Sequence, residues 1–238
     1  MKKSIIFLML LVNLSVFSQE GISGIVTYKI ESNFEIKSDT IENSLLKKVF
    51  ESLLSNGKQT DHLLFKLKFN SKRTVFLKDN TLSSNKNGIN PIEIELKIRG
   101  KIFSELSTKI NLTKINSAKI LVRDSLNFNW KLTKETKTIA GYLCYKATGI
   151  KRIFKRNTYL EKPIIAWYSP ELNILAGPSG YRKLPGLILE LNEVGLLTFK
   201  VSEIEFNNDI KIEKVPNYKI YDRKEYDQIL RERRLGNN

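Results

Sequence analysis

The sequence predicts a mainly-β fold of the α+β kind: a single large curved antiparallel sheet or half-barrel, with one amphipathic helix packed on it and a short C-terminal helix. Three observations predict it. Apolar and polar residues alternate over many short segments, the period of half-buried strands. One stretch, residues 41–56, switches to helical spacing instead. No fixed-period repeat or composition break divides the 238 residues, so one core is expected rather than two. Hydrophobic residues make up 41% and charged residues 27%, which excludes a disordered or fibrous chain.

The N-terminus opens on Met1-Lys2-Lys3, a positive start. Residues 4–17 are then apolar over the length of a signal-peptide core, too short to span a bilayer comfortably. Ser18 puts a small residue before Gln19, so residues 1–18 read as a signal peptide and residues 19–238 as one β-rich domain. No Cys stands at the cleavage point, which excludes a lipoprotein, and nothing later is apolar for long enough to form a transmembrane segment. A monomer, periplasmic or secreted, is the expectation.

From Gly24, the residues Val26, Tyr28 and Ile30 alternate with Ile25, Thr27 and Lys29, a first strand with one buried face. Within 41–56, Leu45, Leu46, Val49, Phe50 and Leu53 line one stripe with Ile41 and Leu54. Asp39 and Glu42 resemble a capping box, and Gly57 is placed to stop the helix. That stripe needs an apolar partner, so the helix is read as a lid lying on the sheet. Period two returns at 62–69, Arg73–Lys78 and 92–99, with a polar loop over 79–90. Further strands are expected at 118–122, 128–133, 142–149, 164–168, 187–191 and 196–206, and a short basic helix at the end.

Few residues carry obvious chemistry. One His and one Cys exclude a disulfide scaffold and a Cys/His zinc site. A Ser-His-Asp or Cys-His mechanism would have to run through His62, which stands beside Asp61 and reads as structural. No phosphate loop, EF-hand or HExxH motif is present, so no catalytic residue, metal or cofactor is expected. Cys144 reads as a buried, inert thiol, with a reactive thiol or an intermolecular disulfide as the alternative that export permits. Glu190, Glu203 and Glu205 fall on adjacent strands and invite comparison with a glycosidase carboxylate pair, although solvated sheet faces carry such residues routinely. Trp130 and Trp167 stand at strand centres, where large aromatics are usually core.

The net charge is +15. Lys146, Lys151, Arg152, Lys155, Arg156 and Lys162 crowd one stretch that holds only Glu161 as an acid, with Phe154 and Tyr159 interleaved. Lys151, Arg152, Lys155 and Arg156 are therefore candidate contacts for an anionic surface such as lipid headgroups. Export counts against nucleic acid as the partner. The plainer reading is a solvated loop.

Two blocks in the second half carry a family likeness. The first contains Trp130-Lys131-Leu132-Thr133 and then Gly141, Tyr142, Cys144, Lys146 and Ala147. The second contains Trp167, Tyr168, Gly177, Pro178 and Leu184-Pro185-Gly186-Leu187-Ile188. In order and spacing they resemble the GLPGLI family, exported proteins of Gram-negative bacteria with no assigned activity. Lys183 stands where that family has its first Gly, and a left-handed backbone there costs Lys what it does not cost Gly. The motif itself reads as structural. Pro185 and Gly186 suit the centre of a type II turn, after which Leu187, Leu189 and Leu191 face one way and Ile188, Glu190 and Asn192 the other.

Function is expected from this resemblance and from the analogy of a sheet with a lodged helix to periplasmic lipoprotein carriers. The first expectation is a non-enzymatic binding or carrier protein for a lipid or other apolar ligand. Nearly level with it is an accessory protein that meets an envelope protein partner, in an outer-membrane assembly, through its basic surface. A carboxylate-dependent hydrolase is third.

Overall fold

The structure is a computed structural model that describes residues 22–31, 64–79, 100–108, 110–115, 118–125, 129–155, 158–194 and 197–235. The expected signal peptide, the lid helix with Leu45, Leu46, Val49, Phe50 and Leu53, the strand at 92–99, His62 and Arg156 lie outside the described residues.

Twelve strands are described: β1 (Gly24–Glu31), β2 (Leu64–Phe69), β3 (Arg73–Lys78), β4 (Ile102–Glu105), β5 (Ile110–Ile115), β6 (Ile120–Ser125), β7 (Lys131–Ile139), β8 (Tyr142–Lys155), β9 (Thr158–Ser169), β10 (Leu187–Glu193), β11 (Leu197–Phe206) and β12 (Lys219–Asp222). They form one large mixed sheet in the order β12-β6-β5-β4-β3-β2-β1-β11-β10-β9-β8-β7, which does not close. Two antiparallel meanders, β1 to β6 and β7 to β11, are thus sewn together along β1 and β11, where Gly24 faces Phe206 and Glu31 faces Thr198. The mainly-β expectation holds, with one parallel pair added at the edge, where Lys219 to Asp222 run beside Ile120 to Arg123. A C-terminal helix, α1 (Arg223–Leu235), follows at once. Its first residue is tied back by two parallel bonds from Arg223 Nε and Nη2 to Asp124, at 2.7 and 2.6 Å.

Local chemistry sets the hairpins. Between β2 and β3, the Asn70 side chain accepts the backbone N–H groups of Lys72 and Arg73, both at 2.9 Å, an Asx-type turn. Between β7 and β8, Ala140 and Gly141 both take positive φ, 50° and 85°. That is the type I′ geometry whose twist matches the flanking strands.

The core sits on the seam. Phe65 and Phe76 stack with centroids 5.5 Å apart, and Phe199 meets both edge-on at 5.6 and 5.9 Å. This group is continuous with Val26, Tyr28, Ala147, Ile164, Ala166, Leu187 and Leu191, all buried. One cluster therefore draws on both meanders. The Tyr28 hydroxyl donates to the Ile188 carbonyl at 2.7 Å, beside a register shift between Ile188 and Glu190 where β10 pairs with β9.

That shift corrects the simple alternation expected after the turn: Leu187, Ile188, Leu189 and Leu191 are all fully buried. An irregular pairing lets consecutive apolar residues share cover that strict period two would deny one of them. The expected type II turn is also corrected. The Gly186 N–H donates to the Leu184 carbonyl at 2.8 Å, a three-residue turn centred on Pro185. Gly186 is required on two counts, since its φ is +147° and a Cβ there would lie 2.0 Å from the Ser169 carbonyl oxygen. Lys183 does adopt the left-handed region, at φ 74°.

β4, β5 and β12 were not expected, and β5 shows why. Its buried positions are Asn111, Thr113 and Ile115 while Ile110 is exposed, so polar residues occupy the inner face and the hydrophobic alternation points the wrong way.

Candidate functional site

Two polar groups stand out from the sheet of the second meander. The first lies on the face opposite the fully buried Ala147 and Ala166. Register aligns Lys146 of β8 with Trp167 of β9, and Trp167 with Glu190 of β10, so the three side chains stand side by side. Lys137 of β7 reaches across to both oxygens of Glu190, at 2.7 and 2.8 Å, with its ammonium 4.3 Å from the Trp167 ring centroid. Lys146 flanks the same ring at 6.0 Å and bonds both oxygens of Glu135, at 3.0 and 2.8 Å. The result is a row of carboxylate, ammonium, indole, ammonium and carboxylate. It offers acceptors, donors and an aromatic face within one strip.

The second group is internal. Glu193, 2% exposed, accepts from Lys151 Nζ at 2.9 and 3.0 Å and from the Tyr181 hydroxyl at 2.7 Å. Burial, with the Glu193 carboxylate second, holds the Tyr181 hydroxyl well above its ordinary range, so Tyr181 stays a proton donor at any working pH. Beside it in sequence, Arg182 donates through Nη1 to the Glu105 carbonyl at 2.9 Å, while the Trp130 indole N–H donates to the Arg182 carbonyl at 2.9 Å. Burial lowers the affinity of Arg182 for its proton. Asn111 completes the bridge: its Nδ2 donates to the Gly180 carbonyl at 2.9 Å and its Oδ1 accepts from Ser104 at 2.6 Å. The connection between β9 and β10 is thereby tied to the first meander.

The residues singled out in the sequence fall as follows. Cys144 is a free, buried thiol whose Sγ donates to the Tyr142 carbonyl at 3.5 Å. Its environment pushes the thiol from 9.0 up to about 11, chiefly by burial. Glu190 is paired with Lys137, whereas Glu203 and Glu205 lie exposed on β11 opposite Thr27 and Ile25. Lys200, not either of them, faces Glu190, so the three carboxylates are not brought together. Lys151 and Arg152 are committed to Glu193 and Glu161. Of the family-motif residues, Ala147, Gly177, Pro178, Leu184, Leu187 and Ile188 pack or turn the chain, and a Cβ on Gly177 would stand 2.7 Å from the Ile188 side chain. Trp167 is partly buried rather than sealed in the core. Sequence reading missed Lys137, Glu193, Arg182 and Asn111, because register alone brings them to their partners. The buried polar positions of an otherwise apolar run, Asn111 and Glu193, were the available signal. No helix among the described residues is long and apolar enough to cross a membrane.

Among known families, the model described as N-glycanase peptide, N-terminal domain, matches residues 100–229. Two solved structures of PNGF-II, in C2 and P21 space groups, superpose with TM-scores of 0.54 and 0.55 at 15% identity. They cover 89% of this chain and 33% and 34% of their own. The chain thus spans about a third of the length of the solved structures that it matches. No curated protein matches.

These findings overturn four expectations. The GLPGLI resemblance is replaced by the N-glycanase match; its motif specifies a turn and a hairpin, which is sheet geometry rather than the mark of one family. The expectation of a non-enzymatic protein fails because the family is named for an enzyme. The lipid carrier fails with it, and Phe65, Phe76, Phe199 and Tyr28 fill the inner face where an acyl chain would lie. The accessory protein of an envelope assembly fails on the same match, and two of its four proposed cations are held by carboxylates of the chain itself.

Proposed function

The chain belongs to the family of N-glycanase peptide N-terminal domains, and on that premise we propose that it works in N-glycan release, meeting the glycoprotein through the row Glu135, Lys146, Trp167, Lys137 and Glu190. The observation that carries this reading is that the family match, residues 100–229, includes every strand bearing the row. An N-glycanase hydrolyses the amide that joins a glycan to an asparagine side chain, leaving aspartate. That reaction needs a glycan and its peptide held together.

A sugar ring presents a face of C–H groups edged by hydroxyls, so its receptor needs an apolar platform with donors and acceptors at the rim. Trp167 supplies the platform, Lys137 and Lys146 the donors, and Glu190 and Glu135 the acceptors. The ion pairs keep the row rigid before the sugar arrives, which lowers the ordering cost of binding. Residues 19–238 act as one exported domain after residues 1–18 are removed, and the processed N-terminus read by mass spectrometry is expected to begin at Gln19.

The test is a calorimetric titration with an N-glycopeptide and with the same peptide lacking its glycan. Saturable binding is expected for the glycopeptide only. Trp167→Ala is expected to weaken it about five- to 150-fold, the loss of one stacking contact of about 1–3 kcal/mol. Equal responses to both peptides, or an unchanged affinity in the variant, would overturn the assignment. In parallel, mass spectrometry of the glycopeptide follows conversion of its asparagine to aspartate.

A further inference from the structure

We propose that Arg182 is an anion-receiving residue that holds a planar carboxylate on the edge formed by its Nε and Nη2. The side chain is 5% exposed, and only Nη1 has a bond, to the Glu105 carbonyl at 2.9 Å. Among the described residues, Nε and Nη2 meet no acceptor. These two nitrogens are not an arbitrary pair. Their N–H bonds run parallel along one edge of the guanidinium, the edge that takes both oxygens of a carboxylate at once. A buried guanidinium edge whose N–H groups lack an acceptor is costly, and folded proteins keep few such groups.

The surroundings hold this edge in place. The Arg182 carbonyl is fixed by the Trp130 indole and the Gly180 carbonyl by Asn111, each at 2.9 Å. Ser179, Gly180 and Lys183 take positive φ, 52°, 77° and 74°, and at the two non-glycine positions such backbone persists only where tertiary contacts impose it. A Cβ on Gly180 would stand 2.5 Å from Asn111 Nδ2, so the turn and its clamp fit closely. The carboxylates nearest in the network are engaged elsewhere: Glu193 with Lys151 and Tyr181, and Glu105 with Arg73 at 3.5 Å. The anion that completes the fork therefore comes from outside this group. Because both nitrogens are buried, it enters as the turn lifts, and bound and free forms exchange slowly.

The test is NMR of the arginine Nε–H resonances of the full chain, with Arg182 assigned through bonds from its backbone. The protein is titrated with sodium acetate, sodium glucuronate and sodium sulfate at matched ionic strength. Acetate and glucuronate are each expected to build a new, saturating Arg182 Nε–H resonance and to raise Tm over the same concentration range. A glucuronate midpoint at least about tenfold below that of acetate marks an acidic sugar as the source, and equal midpoints mark a free carboxylate; both support the assignment. Arg182→Lys keeps the charge and loses the fork, so it is expected to abolish the Tm response. An Arg182 resonance unmoved by either carboxylate means that water serves as its internal acceptor and overturns the proposal. So does sulfate acting as well as acetate, or an undiminished Tm response in Arg182→Lys. The wild-type titration decides the matter if that variant does not fold. The readout is independent of Trp167, so glycopeptide binding and this site stand or fall separately.

Discussion

Cys144 faces the Lys137–Glu190 side of the sheet yet is fully buried, and its thiol is raised from 9.0 to about 11 chiefly by loss of hydration. The thiolate is the reactive form, so native protein at pH 8 is expected to resist iodoacetamide and to react only on unfolding. Alkylation of the folded chain at the rate of a free thiol would sink this. The sign of the pH effect follows from linkage. Between about 9 and about 11 the folded chain keeps a proton that the unfolded chain gives up, so stability is full below pH 9 and falls as pH rises through that window. The loss from this group reaches about 3 kcal/mol, since each tenfold change in proton affinity corresponds to about 1.4 kcal/mol. Tm measured from pH 8 to 10.5 is expected to fall more steeply in the wild type than in Cys144→Ala. Tyr28 and Tyr181, also raised by burial, steepen both curves alike. A buried thiol was legible in the sequence, since Cys144 lies in a strand run with no second Cys to pair with. The Lys137 ammonium over Trp167 was not, because it depends on a neighbour two strands away in the sheet order.

The connection from β9 to β10 is the element on which the two meanders depend most specifically. It carries buried Leu172, Ile174, Ala176, Tyr181 and Leu184, and its carbonyls at Gly180 and Arg182 receive side-chain donors from β5 and from the residue before β7. Asn111→Ala removes both halves of a buried bridge, leaving the Gly180 carbonyl and the Ser104 hydroxyl without their partner. The expected cost is about 2–3 kcal/mol, the range for orphaned buried polar groups, seen as a lower urea midpoint at unchanged slope. A change below about 0.5 kcal/mol would show that the bridge is ornamental to stability. Sequence reading located the motif of this connection and its turn residues. The burial of Asn111 was hidden, because a polar residue on the inner face looks the same in sequence as one on the outer face until its partner is known.

At the scale of the molecule, the pairing of β1 with β11 makes one body of two meanders, and the Phe65, Phe76 and Phe199 cluster spans that seam. Phe76→Ala, a change confined to the first meander, is expected to lower global stability by about 3–5 kcal/mol. Trp130 and Trp167 both lie in the second meander, so their fluorescence reports it alone. Denaturation followed by fluorescence and by far-ultraviolet circular dichroism is expected to give coincident midpoints in wild type and variant. A fluorescence midpoint unmoved by the substitution would mean two cores rather than one. By itself the sequence determined the strand-rich class, the bounds of the central strands within a few residues and the C-terminal helix. Each of these follows from local periodicity and turn chemistry, which act over a few residues. The tertiary structure alone decided the strand order, the parallel edge pair, the bulge in β10 and the assembly of Trp167 with Lys137, Lys146 and Glu190. Those depend on register between segments distant in the chain, and register is set by which faces bury each other, a property of pairs that no single segment encodes.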